Sequence, residues 1–359
     1  MRTIDERALE DIAAGAVILG SGGGGDPYIG MLMARQAIRE HGPVALVNLD
    51  ELDDDDLVLC CAMMGAPTVL VEKVPEGDEV VHALRAVERY LGTRTKATMS
   101  GEVGGLNSMI PIYAAARLRL PIVDADGTGR AFPEVHMSTY TLHGISATPF
   151  AMADERGNTV LLDTVDNRST ETFARLLTVA MGAVSMVAAY PSTVTQLKEA
   201  AVPGTITQAQ HIGEAIRTAC LRESDPVETV REAAGGFLVF EGTVDDIDRR
   251  TEGGFSTGHA FIHGIARYAG QQLQLSFQNE FLAARLDGAF AVTVPDLITV
   301  LDLDTGQPIT AEGLRYGYRV AVIGLPCTPQ WRTPAGLSLA GPRYFGYEVD
   351  YLPVEERYG

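Results

Sequence analysis

The sequence predicts an α/β protein: an N-terminal, mostly parallel, helix-covered sheet followed by a C-terminal β-rich domain. Three observations carry that expectation. From residue 1 to about 165, short apolar runs alternate with helically spaced apolar residues, as in strands joined by crossover helices. From Phe237 the period changes to two, with Leu273, Leu275 and Phe277 alternating with polar partners. The length, 359 residues, suits about two domains. They are placed at 1–165, an α/β domain carrying a glycine-rich loop, and at 166–359, with helices over 169–235 and a β-rich module over 237–330.

Taken in order, Ala16–Leu19 reads as a strand, and Ile29, Leu32, Met33 and Ala37 have helical spacing after it. Val44–Asn48 and Leu57–Met63 read as strands, and Val80, Leu84, Val87 and Leu91 form a helical stripe. Lys96–Met99 and Pro121–Val123 read as strands around a helix over Leu106–Leu118. Ser169-Thr-Glu171 opens a helical run to about Ala189, and Ala209, Ile212, Gly213, Ile216 and Cys220 mark another helix. Asp225-Pro226 supplies an N-cap and a first-turn proline, and Gly235-Gly236 supplies the stop. Asp304-Thr305-Gly306 between two apolar runs predicts a hairpin, Arg319–Ile323 a further strand, and the aromatic segment Gly341–Leu352 is expected to pack back on the protein.

The balance of 47 acidic against 28 basic residues leaves a net charge of −19. Such a surface repels phosphate backbones and anionic membranes, so nucleic-acid and membrane partners are not expected. The N-terminus turns acidic at Asp5-Glu6 and lacks the basic start and apolar core of a signal peptide. Leu176–Leu197 is uncharged, but its Ala, Gly, Ser and Thr content and Pro191 read as close-packed interior. Four cysteines without a C-x-x-C fit buried thiols in a reducing, cytoplasmic compartment. A homo-oligomer is the common state of soluble enzymes.

Gly20-Ser21-Gly22-Gly23-Gly24-Gly25-Asp26-Pro27 is the sharpest local signal. Its glycines let backbone N–H groups approach an anion at a helix start, where Asp26 caps and Pro27 begins the helix. The spacing also satisfies G-x-G-x-x-G, with Asp50 placed for a ribose, so a dinucleotide site, another ligand loop and a structural turn all remain open. Ser100-Gly101-Glu102 and Asn107 form a second glycine-rich turn at the carboxyl end of a strand, where open α/β sheets bind ligands. Asp124 and Asp126 just past the next strand can share a hard cation, divide acid and base roles, or simply make a turn. Glu134 and His136 have same-face spacing and could complete a metal set; a structural histidine is the plainer reading. His259 and His263 offer a further possible metal pair, and the Asp53–Asp56 run reads as a solvated turn.

Taken together, Leu19-Gly-Ser-Gly-Gly-Gly-Gly-Asp-Pro-Tyr28, Met64-Gly-Ala-Pro67, Ser100-Gly-Glu102 with Gly105-Leu-Asn-Ser108, and Asp124-Ala-Asp-Gly-Thr-Gly-Arg-Ala-Phe-Pro-Glu134 resemble the S-methyl thiohydantoin desulfurase family. Val294-Pro-Asp-Leu297 and Gly341-Pro-Arg-Tyr-Phe-Gly-Tyr347 extend the resemblance nearly to the C-terminus. The resemblance implies N- and C-terminal family domains and hydrolytic removal of sulfur from a thiohydantoin or related cyclic amide or thioamide. It also implies company with a hydantoinase-type protein and an expected divalent metal. On that reading Asp124, Asp126, Glu102 and His136 are candidate ligands, and Asp124, Asp126, Glu102 and Asn107 are the candidate catalytic groups. Ser21 and the Gly22–Gly25 amides would hold the ring carbonyl or a carboxylate, and Arg130 would pair with a substrate carboxylate. Two other classes stay open: a non-catalytic small-molecule-binding or hydantoinase-partner protein, and a dinucleotide-dependent enzyme.

Overall fold

A computed structural model describes residues 2–66, 69, 75–219, 225–252 and 255–359. Pro67 and Cys220, both singled out above, lie outside the described residues.

The first sheet has eight strands: β1 (Arg2–Ile4), β2 (Val44–Val47), β3 (Leu57–Gly65), β4 (Ala97–Ser100), β5 (Ile122–Val123), β7 (Phe150–Ala153), β8 (Thr159–Leu162) and β9 (Val184–Thr193). Their order is β1-β2-β5-β4-β3-β9-β7-β8. The strands β2, β5, β4 and β3 run parallel, as the alternating pattern predicts. Antiparallel pairs extend this core on both sides, β1 at one edge and β9, β7 and β8 at the other. A short ladder joins β6 (Ala125–Asp126) to β10 (Val202–Pro203) and pins the segment after β5.

Helices α1 (Glu6–Leu19), α2 (Tyr28–His41), α3 (Glu79–Leu91) and α4 (Gly105–Leu118) flank the parallel core, followed by α5 (Asn167–Ala180), α6 (Thr205–Ala219) and α7 (Pro226–Ala234). The α7 prediction holds in detail: Asp225 accepts from the Val227 and Glu228 amides, Pro226 opens the helix, and Gly235 ends it in the left-handed conformation.

Two sequence expectations fail for one reason. Ala16–Leu19 is the end of α1, not a strand; Asp5 caps that helix by accepting from Ala8 N. Its polar face, Glu6, Arg7 and Glu10, ends early; from Asp11 to Leu19 every residue but Ala14 is buried, so Ala16–Leu19 carries no polar residue that marks a helical period. Gly15 and Gly213 let α1 and α6 approach so closely that a Cβ on either would stand 1.8 Å from a carbonyl oxygen of the other helix. Likewise, the helical run predicted to Ala189 stops at Ala180, and Val184–Thr193 is a buried strand. Uniformly apolar stretches do not announce which period they follow.

The second sheet is antiparallel throughout, in the order β15-β14-β13-β12-β11-β18-β16-β17. Its strands are β11 (Phe237–Glu252), β12 (Phe255–Gly264), β13 (Gln272–Gln278), β14 (Glu280–Leu286), β15 (Ala289–Thr293), β16 (Leu297–Asp302), β17 (Pro308–Ile309) and β18 (Arg319–Leu325). Leu273, Leu275 and Phe277 all point into its core, and the predicted Asp304–Gly306 hairpin joins β16 to β17. The segment after Gly341 packs Tyr344, Phe345, Tyr347 and Tyr351 against the larger core. Among the described residues no helix is long and apolar enough to cross a membrane.

The two sheets meet at the glycine loop. Phe281 N donates to Ser21 O at 2.9 Å, Ala311 N to Gly22 O at 2.8 Å, and Ile298 N to Ser21 Oγ at 2.9 Å. On its other side the loop accepts from the Leu106 and Asn107 amides that open α4.

Candidate functional site

A cavity of about 120 Å³ opens at this junction, above the carboxyl ends of β3 and β4. Met63, Met64, Phe132, Phe150 and Val187 supply much of its apolar wall. Its polar lining includes Glu102, Asn107, Thr128, Glu134, Ser138, Tyr190 and Glu280. A mostly apolar recess with a few convergent polar groups is the usual form of a small-molecule site.

Glu102 is held from two directions. Asn107 Nδ2 donates to Glu102 Oε1 at 2.7 Å, and Phe132 N donates to Oε2 at 3.0 Å. Asn107 is itself fixed, since its Oδ1 accepts from Met63 N at 2.8 Å. Burial pushes the Glu102 carboxyl up to about 7, against the pull of those two hydrogen bonds. A carboxyl poised there can take or give a proton at neutral pH.

Glu280, the first residue of β14, lines the same cavity and is 2% exposed. The Gly24 amide donates to its carboxyl, yet its Oε2 has no partner. Burial, and then the nearby Glu102, hold it well above the usual carboxylate range. Cys60 also lines the cavity; burial pushes its thiol up to about 12, so it stays protonated and is no ready nucleophile. Tyr190 and Asn279, both in the lining, adopt φ values of 50° and 60°. Such left-handed backbone outside glycine collects at functional sites.

The sequence matches the S-Me-THD-like N-terminal domain over residues 7–164 and the S-Me-THD-like C-terminal domain over residues 165–354. The chain belongs to the S-Me-THD-like family.

That membership agrees with the resemblance carried by the motifs and is consistent with a thiohydantoin-related function. A crystal structure of a protein from Chromobacterium violaceum is similar in fold, with a TM-score of 0.80 at 24% identity over 99% of this chain and 100% of that one. No curated protein matches the sequence.

In this S-Me-THD-like chain the predicted site residues separate into several settings. Glu102 and Asn107 meet in the cavity, and of the predicted loop residues Gly24 alone lines it. Ser21, Gly22, Gly23 and Gly25 are turned to the chain itself: Ser21 and Gly22 to the second sheet, Gly23 beneath Glu280, Gly25 to α4. The loop follows a helix, so the strand required by the dinucleotide fingerprint is absent. Asp50 is 90% exposed at its side chain and faces Lys198 at 3.4 Å.

Asp126 is fully buried, and its carboxylate accepts from Val103 N, Thr128 N, Thr128 Oγ1 and Gly129 N. Asp124 instead turns to α6, accepting from Thr207 N at 2.9 Å and from the Thr207 hydroxyl. His136 is 3% exposed, with Nε2 3.2 Å from the Tyr344 hydroxyl and 3.3 Å from Glu134 Oε2, and its Nδ1 has no partner. The four residues expected to hold a divalent metal thus stand in separate hydrogen-bonded settings that do not fit one ligand set. Among the described residues no three His, Cys, Asp or Glu side chains gather as a metal site. His259 likewise bonds Ser276 through Nδ1 at 3.0 Å.

Arg130 is fully buried and spends its guanidinium on carbonyls of Ala131, Pro295, Asp296 and Phe281, stacked 4.5 Å from the Phe132 ring. It clamps the Asp126 loop to the second sheet and does not line the cavity. Sequence reasoning missed Glu280, Tyr190 and Arg175 in the lining. The signal for Glu280 was slight: the polar break Gln278-Asn279-Glu280 between two apolar strands reads as an ordinary turn.

Proposed function

We propose that the protein is a hydrolase that removes sulfur from a thiohydantoin or a related cyclic thioamide, with Glu102 as the group that handles the proton of water. The observation that carries this reading is a carboxyl pushed up to about 7, held in place by Asn107 and Phe132 N at the end of an apolar cavity. Family membership supports the substrate class.

The chemistry follows from the ring. In an S-alkylated thiohydantoin the carbon bearing sulfur is doubly bonded to a ring nitrogen. Water adds across that bond, oxygen to carbon. Glu102 takes the proton from the attacking water and passes it to the ring nitrogen. The carbonyl then forms as the C–S bond breaks, and Glu102 accepts the remaining hydroxyl proton and gives it up to the departing sulfur. The products are a hydantoin and a thiol. Asn107 positions Glu102 through its amide, and the apolar wall keeps competing water from the reacting carbon.

The test is release of thiol from an S-methyl thiohydantoin, read by a thiol reagent together with loss of the ring chromophore. Wild-type protein is expected to release one thiol per hydantoin formed, and Glu102→Gln to fall by about 10²–10⁴-fold. No thiol release by folded wild-type protein overturns the reading.

A further inference from the structure

The geometry points to Glu280 as a second catalytic carboxyl, the acid that protonates the departing sulfur. This rests on the hydrolase reading above and extends it to a residue that neither the sequence motifs nor the family match assigns.

Three observations place it there. Glu280 lines the same cavity as Glu102 while coming from the opposite sheet. Its carboxyl lies over the glycine loop, close enough that a Cβ on Gly23 would stand 2.1 Å from Oε1, and the Gly24 amide donates to it. Its Oε2 is buried without a hydrogen-bond partner. A buried polar atom left unpaired is costly; a substrate atom can supply the missing partner.

The charges around it favour the protonated form. Glu102 faces it as a like charge, and Arg130 is the cation nearby. Burial outweighs the Arg130 and Gly24 contributions, so the Glu280 carboxyl is held well above the usual carboxylate range, toward its protonated form. With Glu102 placed as the base, a second buried carboxyl in the same cavity that favours its protonated form suits the acid role.

The step balances. As the carbonyl forms, the C–S pair leaves with sulfur and takes the Glu280 proton, giving a neutral thiol. Glu102 has meanwhile accepted the hydroxyl proton, and its transfer to Glu280 restores both groups. Of the two protons of water, one ends on ring nitrogen and one on sulfur. No oxidant or reductant is required.

The test compares S-methyl with S-2,2,2-trifluoroethyl derivatives of one thiohydantoin, whose leaving thiolates differ strongly in basicity, and reads each variant against wild type on the same compound so that the larger trifluoroethyl group cancels. Glu280→Gln is expected to lower kcat/KM on the S-methyl compound by about 10²–10⁴-fold. On the trifluoroethyl compound, which departs without a proton, the loss should be smaller by roughly tenfold or more. Equal losses on both, or none, overturn the assignment, since a purely structural role lowers both alike. Wild-type pH profiles decide independently if the variant does not fold. An alkaline fall should appear with the S-methyl compound and weaken with the other; identical profiles overturn the assignment. Wild-type protein inactive on both compounds would instead remove the hydrolase reading itself, and this inference with it.

Discussion

Glu280 occupies the space that a side chain at position 23 would need: a Cβ on Gly23 would stand 2.1 Å from Glu280 Oε1 and 2.4 Å from its Cγ. The glycine loop therefore serves as a cradle for a carboxyl of its own chain. The backbone N–H groups that the sequence offers to an outside anion include one, at Gly24, that already donates to Glu280.

Gly23→Ala should displace that carboxyl. Position 23 has no left-handed φ, so the added methyl acts through contact and not through backbone strain. Overpacking of this kind costs about 1–3 kcal/mol. Urea denaturation should show that loss, and thiol release should fall with it. Unchanged turnover in a folded Gly23→Ala protein would count against a catalytic place for Glu280.

The pH dependence follows from Glu102. Its carboxyl titrates near 7 in the folded protein against an ordinary 4.5. As a base it must be ionised, so the rate should rise as pH increases through about 7. Between those two values the folded chain holds a proton that the unfolded chain releases, so this group's contribution to stability is complete below 4.5 and lost as pH rises through about 7. Asn107→Ala removes a donor to the charged form and should move the rise in rate to higher pH. A profile that stays in place would show that Asn107 does not act through Glu102.

Asp126→Asn tests a structural role. The native carboxylate accepts from three backbone amides and one hydroxyl. An amide there turns an NH2 toward donors and strands at least one buried group, at about 1–3 kcal/mol. A lowered urea midpoint is expected before any effect on chemistry is read. Native stability with turnover abolished would return Asp126 to the reacting groups.

Arg130→Met removes a buried cation whose guanidinium meets four backbone carbonyls and whose charge offsets Glu102 and Glu280. Loss of one partner from a buried charged network costs about 3–5 kcal/mol. The variant should unfold at markedly lower urea. A substrate-binding role alone would instead raise KM while leaving the denaturation curve in place.

The part of the site legible from sequence was Glu102 with Asn107, because Glu102 sits in the turn after β4 and Asn107 in the first turn of the helix that follows, five residues on. Arg130 was legible as a charge but not as a clamp, since its carbonyl partners at Phe281, Pro295 and Asp296 are remote in the chain. Asp124 and Asp126, two residues apart, diverge because one accepts from the start of α6 and the other gathers the amides of its own turn and of Val103.

Local pattern settled the parallel core, the alternation of β13, the capped ends of α7 and the presence of a tight loop at Gly20–Gly25, because period, capping and turn formation depend on near neighbours. Packing settled the rest. Whether Ala16–Leu19 coils or extends, which acidic group the glycine loop meets, and which two carboxyls share a cavity all depend on distant segments excluding water together. It is that shared burial that holds the carboxyls of Glu102 and Glu280 above the usual carboxylate range.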